Sequence, residues 1–161
     1  MYNINMPQFL LQDDQIVLKL IIAMVLGMVI GIERVFVHKE AGMKTHAMVS
    51  LGAAAFIIIS ELIARKYAII GGLDPTRMAS QVIVGIGFLG AGSIILQGNR
   101  LSGLTTAGGL WVTASIGMAA GFGFYKLAIV TTLLVLVILI VVNIFEIPIR
   151  KILEDKDKSA A

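Results

Sequence analysis

A chain of 161 residues that is 58% hydrophobic and only 14% charged cannot hide its apolar surface inside one water-facing globule. Soluble domains average about 45–50% apolar and about 25% charged residues. The mean hydropathy of +0.94 points instead to a bilayer as solvent. The net charge of +3 is dispersed, with no basic stripe interleaved with aromatic residues, which excludes a nucleic-acid surface. The absence of cysteine removes disulfides, thiolate catalysis and Cys-based metal sites.

Residues 1–15 hold no Lys or Arg and carry Asp13 and Asp14, so they do not read as a cleaved secretory signal. Five apolar runs of membrane length follow. They cover Ile16 to Ile32, Thr45 to Ala64, Met78 to Leu96, Leu104 to Phe124 and Leu127 to Phe145. The runs are continuous rather than alternating, which predicts helices and not a barrel. Lys19 is placed to snorkel from the first span, and Pro148 is expected to close the fifth. The expected fold is all-α, a polytopic membrane protein of about five transmembrane helices in a tight Gly-rich bundle. It divides into an N-terminal segment (1–15), a membrane domain (16–146) and a charged tail (147–161) whose Arg150 to Ala161 part is expected to be disordered. Loop two, from Arg65 to Arg77, contains Gly71 and Gly72. Basic residues number eight on the side of loop one, loop three and the tail, against five on the other. This asymmetry predicts an outside N-terminus and a cytoplasmic C-terminus.

Small residues recur at helical spacing: Gly27 with Gly31, Gly87 with Ala91, Gly117 with Gly121. In lipid such pairs let helices approach closely, so these six, with Gly85, Gly90 and Gly92, are read as helix-packing or subunit-contact positions. The stretch GIGFLG (Gly85 to Gly90) matches G-x-G-x-x-G but fails as a dinucleotide fingerprint. That motif needs a preceding strand and an acid about 20 residues on, whereas the next acid after Asp74 is Glu146.

The candidate polar residues fall in four groups. Glu33 and Arg34 end the first span, either as a buried ion pair or as a helix end among headgroups. Lys44, Thr45 and His46 open the second, with Gly42 as turn, Thr45 as helix cap and His46 as a hydrogen-bonded interface residue; with His38 it does not make a zinc site. Asp74-Pro75 reads as an N-cap with Pro at the first helical position. Asp74 is also a possible Mg²⁺ contact, presented as a ring by an oligomer; Arg77 and Gln81 follow it. Thr105 and Thr106 open the fourth span, where their hydroxyls can bond backbone carbonyls. Trp111 lies further in and is expected to fill the space left by Gly108 and Gly109. No catalytic constellation and no cofactor site emerges.

The ordered stretches GIERVFVHKEAGMKTHAMVSLGAAAF (from Gly31), DPTRMASQVIVGIGFLGAG (from Asp74) and GLTTAGGLWVTASIGMAAGFGFY (from Gly103) resemble the MgtC/SapB family of bacterial inner-membrane proteins. The resemblance spans the hydrophobic part, roughly residues 20 to 145. It implies a five-span domain in which Asp74, the Glu33–Arg34 pair and the Thr45–His46 pair carry function. It also implies a link to magnesium limitation, acid stress and virulence, and in some members restraint of the F-type ATP synthase. Two positions depart: Lys44 stands where Arg is usual, losing bidentate geometry, and Val112 stands where some members have Cys. The function expected is a non-enzymatic membrane regulator working through a homo-oligomer, such as a dimer, or another membrane complex. The alternative is a Mg²⁺ transporter or channel.

Overall fold

The computed structural model describes residues 6–67, 74, 76–98 and 100–159. Gly71, Gly72 and Pro75, singled out above, lie outside them. The chain forms α1 (Met6–Phe36), α2 (Met43–Lys66), α3 (Thr76–Gly92), β1 (Ile95–Gln97), β2 (Arg100–Ser102), α4 (Leu104–Gly121) and α5 (Tyr125–Ser159). This is an all-α membrane protein with one small hairpin. Among the described residues, three segments are long and apolar enough to cross a membrane: Asp14–Phe36, Met43–Lys66 and Tyr125–Phe145. The 17-residue α3 rises only about 26 Å against a bilayer core of about 30 Å. The 18-residue α4 is diluted by Gly, Ser and Thr.

Helices α1, α2 and α4 form the centre, α3 lies on α4 and α2, and α5 lies on α4 and α1. Most core residues are small or β-branched: Ala23, Ile30, Ala54, Ile116 and Ala120 are almost fully buried. Ala53, Ile86, Leu110 and Ala114 form a second cluster under α3. Without a hydrophobic drive between helices in lipid, close van der Waals approach holds such a bundle. A Cβ on Gly27 would sit 2.5 Å from the His46 carbonyl oxygen, and one on Gly121 would sit 2.9 Å from that of Ala54. Cβ atoms on Gly31 and Gly117 would overlap the backbones of Met43 and Ser50. Lys19 does not snorkel; its Nζ reaches across to Glu61 at 3.0 Å, pinning α1 to α2.

Both α1 and α4 end in a Schellman turn. In the first, Lys39 N–H bonds the Arg34 carbonyl and His38 N–H bonds that of Val35, with His38 at φ 54°. In the second, Phe124 N–H bonds the Ala119 carbonyl and Gly123 N–H bonds that of Ala120, with Gly123 at φ 80°.

Three boundaries differ from expectation. The third helix stops at Gly92, not Leu96. Ser93 folds its hydroxyl back onto the Gly90 carbonyl at 2.7 Å, and Ile95–Gln97 pairs antiparallel with Arg100–Ser102. Gly98 at φ 60° permits the tight turn; the apolar Ile-Ile-Leu run had concealed it. Pro148 does not close the fifth helix, and the tail is not disordered: α5 runs on to Ser159. The Arg, Lys, Leu and Glu residues after Pro148 are strong helix formers. Thr45 does not cap α2. The N-cap is Gly42, without a side-chain cap bond.

Candidate functional site

The last turn of α1 carries two charges into the interior. Glu33 is 8% exposed and Arg34 3%, and Arg34 Nε donates to Glu33 Oε2. Removing either partner would leave an uncompensated buried charge, which costs several kcal/mol, roughly 3–5. The ion-pair reading therefore describes these residues, and the headgroup reading does not.

Opposite them, His46 on α2 is fully buried. Its Nδ1 lies 2.8 Å from Thr113 Oγ1 on α4. The Thr113 hydroxyl donates to the Gly109 carbonyl at 2.7 Å, so it accepts from His46 Nδ1–H. His46 Nε2 and Ser50 Oγ, one helical turn apart, are buried without a hydrogen-bond partner. The Ala41 carbonyl acts on the ring, as do the Arg34 and Glu33 charges, without closing a bond of normal geometry to Nε2. The cluster thus joins the α1 end, the α2 start and the middle of α4. Small residues admit it: Gly109 faces the His46 ring at 3.4 Å from its Cε1, and Gly27 and Gly117 receive the α2 backbone at His46 and Ser50.

Of the residues expected to matter, Glu33, Arg34 and His46 meet here. Sequence reasoning missed Thr113 and passed over Ser50. Their signal was modest: Ser50 shares the His46 face at spacing of four, and both are hydroxyls inside apolar runs.

The others lie apart. Asp74 is exposed before α3; its carboxylate accepts from the Thr76 N–H at 2.9 Å and from the Thr76 hydroxyl at 2.7 Å. These two bonds, hydroxyl first, hold its carboxyl below the usual value. Lys44, Thr45, Arg77, Gln81 and Thr105 are exposed. Thr45 and Gln81 border an apolar groove of about 800 Å³ between α2 and α3.

Two expectations for α4 are corrected. Trp111 does not fill the space at Gly108 and Gly109. It is 53% exposed, because two residues of helix turn it about 200° from Gly109, which faces His46. Thr106 is not among the threonines that bond a helical carbonyl, since the chain one turn back is the hairpin. Thr113 and Thr132 bond back instead, to Gly109 and Ala128.

The α3 glycines divide as well. Gly90 alone faces a neighbour, Ala107, at 3.7 Å, and Gly85, Gly87 and Gly92 have nothing within 4 Å. Ala91 is exposed. GIGFLG lies inside a continuous helix, which again excludes a phosphate-cradling turn. Among the described residues, no three His, Cys, Asp or Glu side chains converge as a metal site.

The chain is similar to proteins of known families. Residues 20–147 match the model of the MgtC family. The chain is 40% identical over 132 residues to the putative magnesium transporter YhiD of Escherichia coli K12, covering 78% of this chain and 59% of that protein. It is 42% identical over 132 residues to protein MgtC of Brucella abortus (strain 2308), covering 82% of this chain and 51% of the relative. It is 42% identical over 120 residues to protein MgtC of Salmonella typhimurium (strain 14028s), covering 74% of this chain and 49% of the relative. The chain therefore spans about half to three-fifths of the length of these curated relatives. No solved structure matches it. A match over residues 20–147, with relatives sharing two residues in five, places this chain in the MgtC family.

Proposed function

We propose that this protein is a non-enzymatic regulator in the bacterial inner membrane, acting through helix contacts made by α3. One observation carries the reading. The central helices are locked backbone to backbone at Gly27, Gly31, Gly117 and Gly121, whereas Gly85, Gly87 and Gly92 touch nothing. Small residues in lipid favour a partner helix, and the adjoining Phe88 is 81% exposed. The partner we propose is a second copy of the chain or another membrane complex, the F-type ATP synthase among those that the family resemblance implies. The C-terminus lies in the cytoplasm by the distribution of basic residues. Regulation under magnesium limitation or acid stress is the context that the family brings.

The second reading is Mg²⁺ transport, favoured by the name of the Escherichia coli relative, with exposed Asp74 as a contact for the ion. The two readings separate in a Mg²⁺ flux assay with purified protein in liposomes. Regulation predicts no flux above empty liposomes, and loss of partner capture in Gly87→Leu with the fold intact. Flux that Asp74→Ala abolishes overturns the regulator reading.

A further inference from the structure

The hairpin between α3 and α4 carries an apolar face that points outward. Its register sets Leu96 opposite Leu101, Ile95 opposite Ser102 and Gln97 opposite Arg100. Side chains alternate between the two faces of a strand, so Leu96 and Leu101 form a cross-strand pair on one face. They are 66% and 60% exposed. On the other face, Ile95 and Ser102 border a polar cavity of about 430 Å³, shared with Lys39 and Glu40 of loop one and with Thr105 at the head of α4; Leu101 reaches its rim. The hairpin is thus amphipathic, with its polar side toward loop one and its leucines outward.

What covers the leucines follows from their position. The hairpin joins two helices of the membrane bundle directly, so it stands at the bilayer boundary on the loop-one side. Helix α3 falls short there. Its 17 residues rise about 26 Å, roughly 4 Å less than a bilayer core of about 30 Å. A strand of three residues reaches about 10 Å, more than the deficit. An apolar face at this level completes the lipid-facing belt that α3 leaves short. The backbone sets the opposite limit. A two-stranded sheet leaves the outer edge of each strand unpaired, and unpaired backbone groups are excluded from hydrocarbon. The hairpin therefore stays in the zone where headgroups and acyl chains meet, where amphipathic elements lie in the membrane plane.

We infer that the hairpin is an interfacial anchor, with Leu96 and Leu101 inserted at the acyl-chain boundary of the leaflet on the loop-one side and Gln97 turned to water. Its partner is lipid, and it fixes the depth of α3 and α4 in the bilayer.

The test uses the full chain in phosphatidylcholine nanodiscs, which leave both membrane faces open to water. The single tryptophan is removed by Trp111→Phe, and one reporter is placed at a time: Leu96→Trp, Leu101→Trp or Gln97→Trp. All three positions are exposed, so the replacements remove no core packing, and circular dichroism checks that each variant keeps its helices. Fluorescence is quenched from the lipid side by acyl chains brominated near the glycerol end, and from the water side by iodide. Lipid quenching of the two leucine-site reporters should exceed that of the Gln97 reporter at least about twofold, and iodide should give the reverse order. Iodide quenching of the leucine-site reporters as strong as at Gln97 overturns the anchor. Shielding of both leucine sites from lipid and water alike means that another copy of the chain covers them, and overturns lipid as the partner.

Discussion

Glycine at position 117 and glycine at position 87 look alike in sequence, each opening or closing a small-residue pair, yet they have opposite surroundings. A Cβ at 117 runs into the Ser50 backbone, while one at 87 meets nothing. Gly117→Ala should destabilise the protein by about 1–3 kcal/mol through overpacking. Gly87→Ala should be neutral or stabilise by up to about 1 kcal/mol through helix propensity. Thermal unfolding in detergent, followed by circular dichroism, reads both. At Asp74 the sign of the pH effect follows from its two bonds to Thr76. The carboxyl titrates below its ordinary value of 3.8, so the cap is complete above that value and is lost as pH falls through the lowered one. Amide exchange at Thr76 and Arg77, corrected for intrinsic rate, should stay flat from pH 7 to 5 and rise only below about pH 4. His46 was legible as a hydrogen-bonded residue, but its acceptor was not. Thr113 lies 67 positions away, and nothing local links a hydroxyl in one apolar run to an imidazole in another.

The same turn ends α1 and α4, with a histidine at the left-handed position of one and a glycine at that of the other. L-residues with a Cβ pay about 1–2 kcal/mol there. His38→Gly should therefore stabilise the chain by about 1 kcal/mol, seen as a raised unfolding midpoint in detergent. The short hairpin shows where helix reasoning failed. Its first strand, Ile95–Gln97, prolongs the apolar run of α3 without a break, so hydropathy gave no stop. The stop came from Ser93 and from Gly98, whose left-handed φ sets the turn. The end of α5 failed in the opposite direction. Pro148 removes one backbone donor, but the charged residues beyond it favour helix strongly enough to continue.

For the whole molecule, the proposed orientation gives a direct test, helped by the lack of native cysteine. Glu40 and Tyr67 are both exposed and flank opposite ends of α2. In intact spheroplasts, Tyr67→Cys should react with a membrane-impermeant thiol reagent. Glu40→Cys should react only after lysis. The reverse pattern would invert the topology. The bundle also separates two kinds of small-residue face. One is consumed in joining α1, α2 and α4; the other, on α3, is left for lipid or a partner.

The sequence by itself determined that this is a helical membrane protein of five helices, because composition and unbroken apolar runs reflect the solvent and need no knowledge of contacts. It also singled out Glu33, Arg34 and His46, since charged or titratable groups in apolar surroundings are conspicuous wherever they point. Only the tertiary structure decided which glycines are packed and which are free, that Thr113 and Ser50 join His46, and that the head of α4 opens on a polar cavity. Each of these depends on the rotation of one helix against another. A rotation of about 100° per residue carries a side chain from core to lipid, and spacing along a single helix does not record which face its neighbour meets.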